Sequence, residues 1–359
     1  MYKKQKNKIP VESTPLNDKK QWLFTVLFII IAVASISIVA LQSQDFSFSG
    51  FLTAIKESDW RWLLVAFGSM LSFIAFEALA ILSLCKALGY KMGFWKGYIY
   101  SASDIYFSAL TPSATGGQPA SAYFMIKNGI DGIKATAILI ANVATYILCI
   151  VVIGILCLIF RFDIFLSFST ISQALIILGL LIHLGLVIFF YLLLKRERLL
   201  HRICSFFINL LCKIKIFRNK EKKLLKLEIY MKNYRKHCDL IVKHKKALFL
   251  CFIFNFLQRT AQIAITMFVH IAITGEKFLE AINFWFMQGY VTLGANIIPI
   301  PGAMGVSDGM MLDAFTSVME RSQATNLELL SRSFSFYGCV IICGVSTLIG
   351  YCLLKKRGK

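Results

Sequence analysis

The chain alternates between long apolar runs and short polar joints. Long, predominantly apolar stretches occupy 22–41, 62–85, 135–160, 171–194, 247–274 and 334–354. About 20 apolar helical residues span the roughly 30 Å hydrocarbon core of a bilayer, so each stretch is read as a full transmembrane helix. The first is too long for a signal-peptide core and no convincing cleavage site follows it, so it is expected to be retained.

Two further apolar runs, 94–109 and 278–298, end in helix-breaking sequence. The first break is Thr111-Pro112-Ser113-Ala114-Thr115-Gly116-Gly117-Gln118-Pro119-Ala120, and the second is Ile298-Pro299-Ile300-Pro301-Gly302-Ala303-Met304-Gly305-Val306-Ser307-Asp308-Gly309. Helical patterns too short to span, 120–126 and 306–318, follow them. Pro119 suits the first turn of a new helix, where its missing N–H costs nothing. Irregular backbone at membrane depth survives only against protein or a wet cavity. Paired Gly/Pro interruptions, one per half, point to a transporter's binding site. The alternative is a pair of ordinary loops at the membrane surface.

Between 195 and 246 the pattern changes. Leu199, Ile203, Phe207, Leu210, Ile214 and Phe217 fall three or four apart, as do Leu224, Leu227, Met231, Tyr234, Cys238 and Ile241. These spacings predict two amphipathic helices. The 52 residues hold 17 Lys/Arg against 4 Asp/Glu, a net of +13. Such a block marks the cytoplasmic side and attracts anionic inner-leaflet lipids, so both helices are expected on the inner membrane surface. The same pattern in a soluble setting would fit tRNA or calmodulin.

Charge then orders the spans. Six lysines lie within residues 1–20, Lys127 and Lys134 follow the first break, and Lys355-Lys356-Arg357 close the last span. The positive-inside rule places both termini in the cytoplasm, with one hairpin entering from inside and the other from outside. The expected fold is an all-α integral membrane protein. It has about six full spans and two opposed re-entrant hairpins, as an inverted repeat would produce. The domain plan is a basic tail at 1–21, a membrane domain at 22–354 enclosing the 195–246 segment, and a basic end at 355–359. Composition agrees: the chain is 57% hydrophobic and 16% charged, where soluble domains carry roughly 25% charged residues. The excess charge, net +20, is confined to these blocks, so no nucleic-acid partner is expected. The ten cysteines form no CxxC pair and the five histidines no HExxH spacing. No metal or cofactor is expected.

Arg259, Glu77 and Asp104 stand at membrane depth. A charge at the centre of a span costs about 2.5–3.5 kcal/mol on insertion scales, so each should face a partner or a wet cavity. Arg259 is the candidate for an anionic headgroup phosphate, with Glu77 or Asp104 as counter-charge or proton-linked partner; a structural ion pair between spans is the alternative. Helix starts after Gly117 and Gly305 would aim backbone N–H groups at an anion, beside Gly116 and Gly302. Ser113, Thr115, Gln118 and Ser307 add hydrogen-bonding groups. Asp308 either caps its own helix or recognises a cationic headgroup.

The first break, followed by Tyr123 and Lys127, resembles the signature of the lysylphosphatidylglycerol synthase transmembrane, or flippase-like, family. So does Pro299-Ile300-Pro301-Gly302-Ala303-Met304-Gly305-Val306 with Asp308, where the family pattern typically has Glu. The resemblance covers roughly 22–354. The family includes the membrane half of the bacterial multiple peptide resistance factor, understood to flip aminoacylated phosphatidylglycerol outward and so resist cationic peptides; the resemblance implies a bacterial cell membrane and a related activity. The family name also implies a phosphatidylglycerol lysyltransferase, moving lysine from lysyl-tRNA to lipid. That chemistry needs a cytosolic domain of about 100–150 residues, and the longest cytosolic stretch expected here has 52. No transferase domain is expected after Lys359. The expectation is therefore a flippase of the lysyl-phosphatidylglycerol class, served by a separate synthase, with self-association into a homodimer left open. Lysyl transfer and translocation of a polyprenyl-phosphate or glycolipid are the alternatives.

Overall fold

The computed structural model describes residues 48–111, 114–213 and 220–357. The expected first span at 22–41, the basic tail and Ser113 lie outside the described residues.

The described chain is helical throughout. Helices α1 (Phe48–Glu57), α2 (Trp60–Ala87), α3 (Phe94–Leu110), α4 (Gly117–Lys127), α5 (Gly132–Phe160), α6 (Phe162–Ser167) and α7 (Thr170–Lys195) form its first part. Then follow α8 (Glu197–Lys213), α9 (Lys220–Lys243), α10 (Lys245–Thr274), α11 (Phe278–Ala295), α12 (Val306–Thr316), α13 (Arg321–Arg332) and α14 (Cys339–Arg357). Five helical stretches are long and apolar enough to cross a membrane: α2, α5, α7, α10 and the run Arg321–Lys355. They correspond to five of the six expected spans. The protein is an all-α, multi-pass membrane protein.

Local sequence sets the helix ends. Asp59 and Asp131 accept hydrogen bonds from Arg61 N (2.9 Å) and from Ile133 N (3.0 Å), capping α2 and α5. Gly275, at φ +69°, closes α10 in the left-handed conformation that glycine adopts at little cost.

The centre of the bundle is the antiparallel pair α2–α10. Asp59 N donates to Ala272 O (2.8 Å), Ser69 Oγ to Ala261 O (2.8 Å) and Ser83 Oγ to Ala247 O (3.3 Å). One index falls as the other rises, so the pair holds register along its whole length. Beside it, α7 approaches α11 so closely that a Cβ on Gly179 would collide with the Leu293 carbonyl. Small residues at such contacts let membrane helices pack backbone to backbone.

Ahead of the last expected span, the polar stretch 320–326 leads into α13, which runs through a π-helical turn (Ser333–Gly338) into α14. Its Glu328, Ser331 and Arg332 are buried. One expectation needs correction. The amphipathic pattern of 224–241 does form a helix, α9, but its apolar face is spent on protein. Tyr234, Cys238 and Ile241 are buried against α5 and α7, and Tyr234 Oη donates to Leu193 O at 3.3 Å. That face is not free to lie in lipid.

Candidate functional site

Both breaks border one cavity of about 930 Å³. They come from distant parts of the chain and meet because α3 packs against the short 3₁₀ turn Pro301–Ala303 of the second break. The cavity falls within the ≈ 300–1,000 Å³ typical of small-molecule sites.

At the first break, α3 ends at Thr111 and α4 restarts at Gly117. Thr111 Oγ1 accepts from Gly116 N at 2.8 Å, holding the turn. Gly117 is buried where a Cβ would overlap Asp104 and Ser108, so a side chain there would push α4 away from α3. The tight approach lets Gln118 Nε2 donate to Asp104 Oδ2 (2.7 Å), while Ser108 Oγ donates to Oδ1 (3.2 Å). Glu77 of α2 receives Ser101 Oγ (3.2 Å) and Gln258 Nε2 (3.1 Å) on Oε2. The two carboxyl groups thus belong to one polar cluster on the cavity wall, and Gln118 Oε1 and Gln258 Oε1 are buried there without a partner.

Arg259 lies on the same wall, 5% exposed. Its guanidinium hydrogen-bonds Gln262 and sits 4.5 Å from the Tyr146 ring centroid. Among the described residues no carboxylate stands within ion-pair distance of it, and its Nε has no hydrogen-bond partner. The alternative of a structural ion pair between spans is therefore not formed at Arg259. The oxygens of Glu77 and Asp104 accept from Ser101, Ser108, Gln118 and Gln258, and Arg259 lines the cavity with Gln262 and the Tyr146 ring as its neighbours.

At the second break the chain passes through positive φ at Gly302 (+62°), Ala303 (+50°) and Gly305 (+79°). Gly302 and Ser307 line the cavity. Asp308 does not: its Oδ2 caps α12 by accepting Gly305 N (2.8 Å), and its Oδ1 lies 2.6 Å from Arg332 Nε. The capping reading of Asp308 is thus seen in the hydrogen bond from Gly305 N. Thr115 is exposed and lies off the lining, as do Gly116, Gly117 and Gly305, which shape the breaks instead.

Arg332 and the amides Gln262, Gln288 and Asn296 also face the cavity and were not expected to. Gln262 stands three residues from Arg259, a spacing that shares a helix face, and that signal was available in sequence. Arg332 sits in a polar stretch with no apolar frame to mark its depth.

Comparison with known proteins agrees with this architecture. A curated UPF0104 membrane protein of Archaeoglobus fulgidus is 29% identical over 79 residues, covering 22% of this chain and 24% of that relative's length. The model of the lysylphosphatidylglycerol synthase TM region matches residues 24–343. That span includes both breaks, the cavity wall and α2–α13, and the chain belongs to this family.

Proposed function

We propose that the protein moves a phospholipid between leaflets, with the headgroup phosphate bound by Arg259 in the cavity between the two breaks. The observation that carries this is the buried guanidinium with no carboxylate within ion-pair distance. A buried charge is normally paired or its cost is large, and a phosphodiester supplies the missing charge and the acceptors that Arg259's planar fork fits. The substrate class is anionic or aminoacylated phosphatidylglycerol, as for the family whose name the chain shares. Movement of lysyl-phosphatidylglycerol to the outer leaflet would lower surface negative charge and so contribute to resistance against cationic peptides. The orientation follows charge: both termini and the basic helices α8 and α9 on the cytoplasmic side, near anionic lipid.

A second cargo is favoured by the amide wall. Gln118, Gln258, Gln262, Gln288 and Asn296 present neutral donors and acceptors suited to sugar hydroxyls, which fits a polyprenyl-phosphate glycolipid. The test is substrate competition in proteoliposomes, following fluorescent phosphatidylglycerol to the outer leaflet. Wild type should move it and Arg259→Gln should not. Arg259→Lys should retain a part, because it keeps charge and loses the fork. Equal movement by wild type and Arg259→Gln would overturn the assignment of the phosphate to Arg259.

A further inference from the structure

The cavity holds a second arginine, and its surroundings differ from those of the first. Arg332 lines the wall at the second break, is 7% exposed, and is the last residue of α13 before the π-helical turn Ser333–Gly338. Such turns in helices frequently mark functional sites. Its partner Asp308 lies outside the lining, with the side chain 29% exposed. Although Asp308 Oδ1 and Arg332 Nε are 2.6 Å apart, the contact is not aligned along the N–H bond, so Nε makes no hydrogen bond. The one further donation is from Nη2 to Gly302 O, long at 3.4 Å. A guanidinium has five N–H donors, and most of these are uncommitted. The Phe336 ring lies 5.2 Å from the guanidinium and also fills the space where a Cβ on Gly302 would stand. Glu328, one turn earlier and 6% exposed, is near enough to interact with both Arg332 and Asp308.

We propose that Arg332 is a second phosphate station on the translocation path, and that Asp308 is its displaceable counter-ion. The ligand is a phosphodiester monoanion of a lipid headgroup, passed along the cavity from Arg259. This rests on the translocation reading above. A phosphate at Arg332 offers the aligned bidentate acceptors that Asp308 does not. Asp308 is also the cap of α12, through Gly305 N, and Arg332 also holds Gly302 O. Displacing Asp308 therefore loosens the Gly305 end of the turn 302–305, where three residues in four carry positive φ. That backbone is held by its contacts and changes when they go. Arrival of the headgroup and release of the second break become one event.

The test uses the full chain in detergent with dioctanoyl-phosphatidylglycerol as probe, measuring affinity by calorimetry and backbone hydrogen exchange across 298–309. Asp308→Asn keeps a capping oxygen and removes the competing charge. It should bind the probe about tenfold more tightly than wild type, and Asp308→Asn/Arg332→Gln should lose that gain. In wild type, with no substitution to disturb folding, the probe should speed exchange at Gly305. Binding by wild type that Arg259→Gln abolishes, together with no gain in Asp308→Asn or no change in exchange at Gly305, would overturn the second station and leave the first intact. No binding or movement of the lipid by wild type would overturn both.

Discussion

Gly117→Ala is a small change whose effect can be worked from the geometry. The new Cβ would stand 2.5 Å from the Asp104 carbonyl oxygen, in addition to overlapping Asp104 Oδ1 and Ser108 Oγ. Side-chain atoms can turn aside, but the carbonyl belongs to α3 and cannot. Ordinary contact begins near 3.4 Å, so α4 must retreat by about 0.9 Å, the difference of those two distances. Overpacking of this kind costs about 1–3 kcal/mol. The retreat also strains the 2.7 Å bond from Gln118 to Asp104, and hydrogen bonds to charged groups are worth about 1.5–3 kcal/mol. Together these give roughly 2.5–6 kcal/mol, concentrated in the first hairpin. Thermal unfolding in detergent should show a lowered midpoint, and lipid movement in proteoliposomes should fall because Asp104 and Gln118 leave the wall. Adding Ser108→Ala should not restore either, since the backbone clash remains. Wild-type stability and transport in Gly117→Ala would refute the claim that close approach of α3 and α4 builds this wall.

Gly179→Ala should destabilise the fold by about 1–3 kcal/mol through the Leu293 carbonyl, read as a lowered unfolding midpoint; an unchanged midpoint would mean α7 and α11 are further apart than described. Asn255→Ala removes the buried bond to Asn142 Oδ1 at 3.0 Å. Interhelical bonds in membranes average about 0.6 kcal/mol, so a small loss in reversible unfolding is expected and one above about 2 kcal/mol would contradict it. Tyr234→Ala empties a fully buried aromatic site and should cost about 3–5 kcal/mol, with faster hydrogen exchange in α9; exchange as slow as in wild type would show that α9 is held elsewhere.

Much of the site can be read from residues alone because membrane depth makes exceptions conspicuous. Glu77, Asp104 and Arg259 interrupt apolar helices, and all three reach one cavity. The Gly/Pro breaks likewise announce themselves, since nothing else in a span tolerates them. What is not legible is pairing. The charge of Arg259 calls for a carboxylate, yet the carboxylates are taken by Ser101, Gln118 and Gln258, residues 14 to 181 positions away from them. Arg332 and Glu328 lie in a stretch whose composition reads as a polar connection, and only packing buries them. The same limit applies to α9: periodicity reports an apolar face, and it cannot say whether lipid or protein covers it.

The central claim is tested most directly in liposomes carrying lysyl-phosphatidylglycerol on the inner leaflet, with an impermeant amine-reactive probe outside and phosphatidylglycerol and polyprenyl-phosphate controls in parallel. The account predicts that purified protein brings the lysyl lipid to the outer leaflet and that Arg259→Gln does not. Absence of any lipid movement, alongside lysyl transfer from charged tRNA by the same preparation, would contradict it and assign the cavity to an enzyme.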